Sequence, residues 1–196
     1  MEDRLVTLDW EKGCSIGFDF ETGMARGVPI GKRRLSEMRG MFFDADAYEG
    51  KLAEEDPVVY EYHALDIPQT PGDISFGFSI LMPGRVGNEY YFTKGHFHNI
   101  LDTAEMYLCT RGRGCLLIES KAGDCRLIAL APGCAGYVPK GYAHRSINIS
   151  DSEPFITLFT YRADAGHDYA TIETKGFRKL LVCRDGVPAL IDNPRW

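Results

Sequence analysis

No apolar run in this sequence of 196 residues approaches the roughly 18 residues that a membrane-crossing helix requires. No basic run exceeds the three cations of Gly31-Lys32-Arg33-Arg34, which is expected to be a solvated face, and the formal net charge is −6. Neither nucleic acid nor membrane is therefore an expected partner. A small anion remains open, because a few local donors outweigh a distant net charge. The six cysteines, Cys14, Cys109, Cys115, Cys125, Cys134 and Cys183, form no CxxC pair. The opening MEDRLVTLDW lacks the apolar stretch of a signal peptide. Reduced thiols in the cytoplasm are the expectation, with buried cysteine acting as a small hydrophobe. Repeats, low-complexity tracts and linkers are also missing, so one domain is expected over 1–196.

The composition that is present points to β-structure. Aromatics make up 12%, and 21 glycines with 10 prolines suit short strands and tight turns. Ile16, Phe18 and Phe20 alternate as a strand does, after the short apolar pair Leu5 and Val6. Leu35, Met38 and Met41 have helical spacing; Asp44 is placed to cap a second helical segment over 45–54, and Pro57 stops it. From residue 58 the texture changes to strands: 58–65, 74–82, 89–98, 104–110, 115–119, 125–130, 136–139, 145–149 and 155–161, with a last hairpin over 180–191 around Asp185-Gly186. Residues 162–169 read as a loop. Short strands at intervals of about 8–12 residues signify an antiparallel β-sandwich or barrel. The chain divides into an N-terminal arm and helical extension (1–57), a barrel core (58–162), and a closing loop with C-terminal strands (163–196).

Three of the five histidines carry the chemistry. His96 and His98 are two apart, so a strand puts both imidazoles on one face and Phe97 on the other. Glu105 follows across a turn at 99–103, and His144 arrives from far away in the chain. Three neutral imidazoles and a carboxylate suit Fe(II), Mn(II), Ni(II) or Zn(II), and no cysteine joins them to make a structural thiolate site. His96 and His98 alone would fit ordinary core or surface histidines equally well. Glu105 and the later Pro139-x-Gly141-x2-His144 favour a metal.

The segment Gly133-x5-Pro139-x-Gly141-x2-His144-x3-Asn148 resembles the second cupin motif at every fixed position. The first cupin motif is matched by His96-x-His98, Glu105 and Gly112. Two departures remain: Tyr90 replaces the leading glycine, and six residues rather than three or four separate His98 from Glu105. The longer spacer is similar to that of the cupin-type glucose-6-phosphate isomerases. So are Phe18-Asp19-Phe20-Glu21-Thr22-Gly23, Arg33-Arg34-Leu35-Ser36, 55–61, Pro83-Gly84-x-Val86-Gly87, Thr93-Lys94-Gly95-His96-Phe97-His98, 163–169 and Asp192-Asn193-Pro194-Arg195-Trp196.

The resemblance implies an all-β, antiparallel cupin/jelly-roll barrel with short N-terminal helical segments. It implies one divalent metal per subunit on His96, His98, Glu105 and His144, with Fe(II) first and Mn(II), Ni(II) or Zn(II) as alternatives. It implies a phosphate pocket near Ser79, Thr93, Gly95 and Tyr161, where Ser79 replaces an expected threonine and keeps the hydroxyl. Tyr60, His167 and Tyr169 would surround the sugar, although packing at the barrel mouth or in the core would explain them too. Glu105 and His144 are the expected catalytic residues, Glu105 as base in a proton transfer between C2 and C1. His63 matches no motif and is expected to be structural. The implied activity interconverts glucose 6-phosphate and fructose 6-phosphate in glycolysis and gluconeogenesis, in a homodimer. An Fe(II) cupin dioxygenase, a mannose-6-phosphate isomerase and a non-catalytic sugar-binding cupin are the alternatives. One conflict is visible in advance. Thr93 and Gly95 have the opposite strand parity to His96 and His98, so a twist or bulge is required for both pairs to face one cavity.

Overall fold

A computed structural model describes residues 8–63 and 65–196. The Leu5–Val6 pair and Ala64, at the end of an expected strand, lie outside the described residues. The strands are β1 (Ile30–Arg34), β2 (Val58–His63), β3 (Ile74–Leu81), β4 (Arg85–Val86), β5 (Glu89–Tyr90), β6 (Glu105–Arg111) and β7 (Gly114–Ser120). They continue with β8 (Cys125–Leu130), β9 (Ala135–Val138), β10 (Tyr142–Asn148), β11 (Phe155–Arg162), β12 (Lys179–Arg184) and β13 (Val187–Asp192). A six-stranded sheet runs β1-β2-β3-β11-β6-β9, a three-stranded sheet β10-β7-β8, and a four-stranded sheet β13-β12-β5-β4. Every named pair is antiparallel, as in the cupin-type barrel.

The helical expectation near the N-terminus holds, in part as a tighter turn. Leu35–Met38 forms a 3-10 turn that buries Leu35 and Met38. Helix α1 (Ala45–Glu54) begins at Asp44, whose side chain accepts from the Ala47 N–H at 2.9 Å. Tyr48 of α1 donates to the Leu35 carbonyl at 2.7 Å, which pins the helix to the turn. The strand expected over 16–20 is not formed; Phe18 makes a single bridge to Ala25. The expected loop over 162–169 contains a 3-10 turn, Ala163–Ala165, and leads into a short helix, α2 (Ala170–Lys175), that the apolar pattern did not disclose.

Strand β3 shows how the cavity is lined. Its alternation puts Ser75 and Ser79 on the cavity side. Phe78 and Ile80 face away and form a small separate cluster with Ile156, packed against Phe18. The main core holds Leu35, Met38, Phe42, Leu81, Phe92, Leu116, Ile147, Phe155 and Phe177, drawn from the N-terminal arm and all three sheets. Asn148 closes this core with polar contacts. Its side-chain amide donates to the Leu81 carbonyl at 2.9 Å and the Glu153 carbonyl at 2.8 Å, and its oxygen accepts from Ser150 N–H at 2.8 Å. At Gly112, with φ +76, an added Cβ would lie 2.1 Å from the Pro154 carbonyl oxygen, so the turn into β7 tolerates only glycine.

Asn148→Ala would strip the Leu81 and Glu153 carbonyls of their donor. A stability loss of about 2–3 kcal/mol is expected, measured by urea unfolding in chelator so that metal binding does not contribute.

Candidate active site

The strand expected over 89–98 is regular only at Glu89–Tyr90. Beyond it the chain runs beside β10 in two registers. Phe92 bridges Ile147, and Thr93 N–H donates to the Ser146 carbonyl at 3.0 Å. His96 and His144 then exchange both backbone hydrogen bonds, at 3.2 and 3.1 Å. Lys94 and Gly95 therefore stand opposite the single residue Arg145, which is a bulge. Gly95 takes φ +75, and a Cβ there would lie 2.9 Å from the Phe177 ring and 3.1 Å from Arg145. The bulge reverses side-chain parity, so Thr93, Gly95 and His96 all line one cavity.

The other edge of this segment is also paired. Phe97 N–H donates to the Asp168 carbonyl at 3.1 Å, and Asp168 N–H returns to the Phe97 carbonyl at 2.7 Å. Phe97 is buried. Strand alternation then turns its neighbours His96 and His98, and Asp168's neighbours His167 and Tyr169, to the same side. The rings bear this out: the His167 centroid is 4.3 Å and the Tyr169 centroid 5.3 Å from that of His96.

The four expected ligands converge. One donor atom each from His96, His98, Glu105 and His144 lies within 4.8 Å of all the others. Glu105 Oε2 is 3.0 Å from both His98 Nε2 and His144 Nε2. His98 Nδ1 is 3.2 Å from the Gly166 carbonyl, which selects the tautomer with a lone pair on Nε2. The Nε2 atoms of His96 and His144 are buried with no hydrogen-bonding partner; the 3.0 Å approach of His144 to Glu105 is off the donor direction. Burial, then the neighbouring His144 and His167, holds the His96 imidazole well below its usual range. Burial alone would push the Glu105 carboxyl up, but His144, His98 and His96 together outweigh it and hold it low. Two imidazole Nε2 atoms thus converge on one carboxylate oxygen, with the buried His96 Nε2 beside them unpaired, an arrangement that a single cation would satisfy. The donor set can hold one divalent metal, with no thiolate among its members.

A cavity of about 310 Å³ opens beside these residues and is lined by His96 and Glu105 of the donor set. Tyr60, Ser79, Thr93, Gly95, Tyr161, His167 and Tyr169 all line it. Tyr161 sits opposite Glu105 in the β11–β6 register, with its ring 5.2 Å from that of His98, so it borders the donor set. Thr93 Oγ1 accepts from Ser146 N–H at 3.0 Å, which leaves the hydroxyl proton free to donate. Burial raises the Tyr60 phenol, opposed by Arg33 and by the Lys94 N–H. Tyr107, unremarked in the sequence, also lines the cavity. It lies two residues beyond Glu105 on the same face of β6; burial first and the Glu105 charge second push its hydroxyl well above the ordinary range. Period-2 alternation from Glu105 was the available signal for it. Arg33 lines the cavity too, whereas the rest of its basic run, Lys32 and Arg34, is exposed as expected. His63 touches the cavity, and its Nε2 accepts from Ala25 N–H at 3.3 Å, a structural contact.

A family model described as glucose-6-phosphate isomerase (GPI) matches residues 32–191. The chain belongs to the glucose-6-phosphate isomerase family. The glucose-6-phosphate isomerase of Pyrococcus furiosus is 48% identical over 187 residues, covering 95% of this chain and 98% of the relative. That of Thermococcus litoralis is 43% identical over 189 residues, covering 96% and 99%. A putative glucose-6-phosphate isomerase of Rhizobium meliloti is 36% identical, covering 94% and 86%. Solved structures match over less of their length. An oxalate decarboxylase of Lactobacillus farciminis aligns with a TM-score of 0.40 and 23% identity over 48% of this chain and 25% of that one. One of Bacillus subtilis aligns with a TM-score of 0.42 and 22% identity over 58% and 29%.

His96→Ala and His144→Ala are each expected to lower retained metal at least tenfold, read by elemental analysis after gel filtration. Gly95→Ala should cost about 1–3 kcal/mol through its backbone conformation and also release metal, because the register of His96 depends on the bulge. Full metal retention in Gly95→Ala would show that the bulge does not set the ligand.

Proposed function

We infer that this chain is an aldose–ketose isomerase interconverting glucose 6-phosphate and fructose 6-phosphate, with one divalent cation on His96, His98, Glu105 and His144. The supporting observation is one cavity joining that donor set to a wall of neutral hydroxyls, in a chain 48% identical to the P. furiosus enzyme. Fe(II) is the proposed native cation, since imidazole–carboxylate sites with open positions suit it; Mn(II), Ni(II) and Zn(II) fit the same donors. When bound, the cation supplies a Lewis acid for the substrate oxygens on C1 and C2.

The chain's own groups hold and move the rest. Ser79, the Thr93 hydroxyl and the Gly95 N–H donate to the phosphate. Tyr60, Tyr161 and Tyr169 enclose the sugar and exclude water. A proton leaves C2 of the aldose and returns to C1, while another passes between O1 and O2. Glu105 is the first carrier of the carbon proton. One observation favours a second carrier. His167 borders the donor set without belonging to it, and burial, then the proximity of His98, lowers its imidazole from the ordinary value and so favours the unprotonated form. A neutral imidazole accepts a proton more readily than a carboxylate held at low pKa.

The chain is proposed to work in the cytoplasm as a homodimer. The six thiols are unpaired, which suits a reducing compartment, and among the described residues β1 and β9 are the outermost strands of the six-stranded sheet, which gives sheet surface for pairing. Among the described residues no helix is long and apolar enough to cross a membrane.

Protein stripped with EDTA should lose glucose 6-phosphate isomerisation and regain it with a single added metal. Absence of turnover with every metal would sink the reading, and oxygen consumption would replace it with a dioxygenase. Mannose 6-phosphate in the same assay measures how far specificity extends. His167→Ala should lower kcat by about 100-fold or more with metal content kept. Complete retention of a C2 deuteron in the product would instead rule out proton exchange through either carrier.

A further inference from the structure

The neutral donors assigned to the phosphate leave its charge uncompensated. A phosphomonoester carries about −1.5 to −2 charges at pH 7, whereas Ser79, Thr93 and Gly95 contribute only dipoles. Apart from histidine, the cavity is lined by two cationic side chains, Arg33 and Lys94. Lys94 Nζ is engaged with Glu173 of α2 at 2.8 Å.

Arg33 is differently placed. It stands on β1 directly opposite Tyr60 of β2, and Tyr62, two residues along β2, stands opposite Ser79 of β3. Alternation keeps Arg33, Tyr60, Tyr62 and Ser79 on one face of the six-stranded sheet. Arg33 and Tyr60 line the same cavity as Thr93, Lys94 and Gly95. Its Nη1 is held by Glu37 Oε1 at 2.7 Å, and the other Glu37 oxygen accepts from Arg34 N–H at 2.8 Å. Arg33 Nε is buried and has no partner. The guanidinium is tethered to Glu37 at one nitrogen, and its buried Nε at the cavity wall still has a donor to give.

We propose that Arg33 makes the charged contact to the substrate phosphate and so sets the preference for phosphorylated over free sugars. The proposal rests on the sugar-phosphate reading above. Glu37 fixes the orientation of the guanidinium and, by sharing its charge, moderates the affinity so that the product leaves. Arg145 does not substitute for it: it does not line the cavity, and its guanidinium is sandwiched between the Phe92 and Phe177 rings, donating through Nη2 to the Lys94 carbonyl behind the bulge.

The test compares metal-loaded wild type with Arg33→Met by calorimetric titration of glucitol 6-phosphate and of glucitol, alongside KM for glucose 6-phosphate. Loss of a charge-assisted contact should weaken glucitol 6-phosphate about 10- to 100-fold and raise KM similarly, with glucitol affinity unaltered. Glu37→Gln keeps the acceptor and removes the charge, so it should tighten glucitol 6-phosphate, a gain that mere loss of structure does not produce. Equal weakening of glucitol and glucitol 6-phosphate, or unaltered affinity for both in Arg33→Met, overturns the proposal. If Arg33→Met does not fold, Arg33→Lys takes its place, with a several-fold loss expected and the same overturning results. The titrations need no turnover. Failure of wild type to isomerise would count against the isomerase, and failure of Arg33→Met to discriminate would count against Arg33 alone.

Discussion

The segment from His96 to His98 is hydrogen-bonded along both edges, and the site depends on that. On one side His96 and His144 exchange two backbone bonds; on the other Phe97 and Asp168 do the same. These bonds align three parts of the chain whose side chains must meet within a few ångströms. A backbone ladder is a precise way to hold them, because its register is discrete: a slip of one residue would turn every side chain to the opposite face. The loop carrying His167 and Tyr169 is thereby part of the sheet architecture.

The bulge at Lys94 and Gly95 is held from behind by Arg145. Its guanidinium lies 4.0 Å from the Phe92 ring centroid and 4.5 Å from that of Phe177, and donates to the Lys94 carbonyl at 2.9 Å. A buried cation is costly without compensation, and the two ring faces supply part of it. Glu89 lies within the same interior field. Burial raises its carboxyl to about 7, opposed by the Phe43 N–H and by the charges of Arg145 and Arg195. Arg195 in turn donates to the Gly40 and Phe42 carbonyls at 2.7 and 2.6 Å. The N-terminal arm, the chain's last residues and the support of the bulge thus form one connected interior.

The six-stranded sheet has its polarity arranged to suit the cavity. On β3 the serines face inward and Phe78 with Ile80 faces outward, where Phe18 covers them. The N-terminal arm is therefore more than an extension: it buries the apolar face that a polar barrel interior leaves on the outside. This arrangement explains why Phe18 makes a bridge and packs without belonging to a regular strand.

Much of the fold was legible in the chain. The period of two, the Pro-Gly punctuation and the Asp44 cap act locally, so β3, β6 to β13 and α1 lie close to where the pattern put them. The strand expected at 16–20 did not form because its alternation answers to a packing surface, and among the described residues only the single Phe18–Ala25 bridge lies beside it. Helix α2 escaped notice because six residues carry too little period to read. The donor set of His96, His98, Glu105 and His144 was readable because donor chemistry and strand parity are properties of the residues themselves. The places of Arg33 and Tyr107 at the cavity wall were not, since a cation in a basic run and a tyrosine in a strand have no address until the sheet closes. Parity could say that a bulge was needed, but not where. Its position follows from Gly95 meeting Arg145 and Phe177, a contact between residues 50 and 82 positions apart in the chain that exists only when the barrel is assembled.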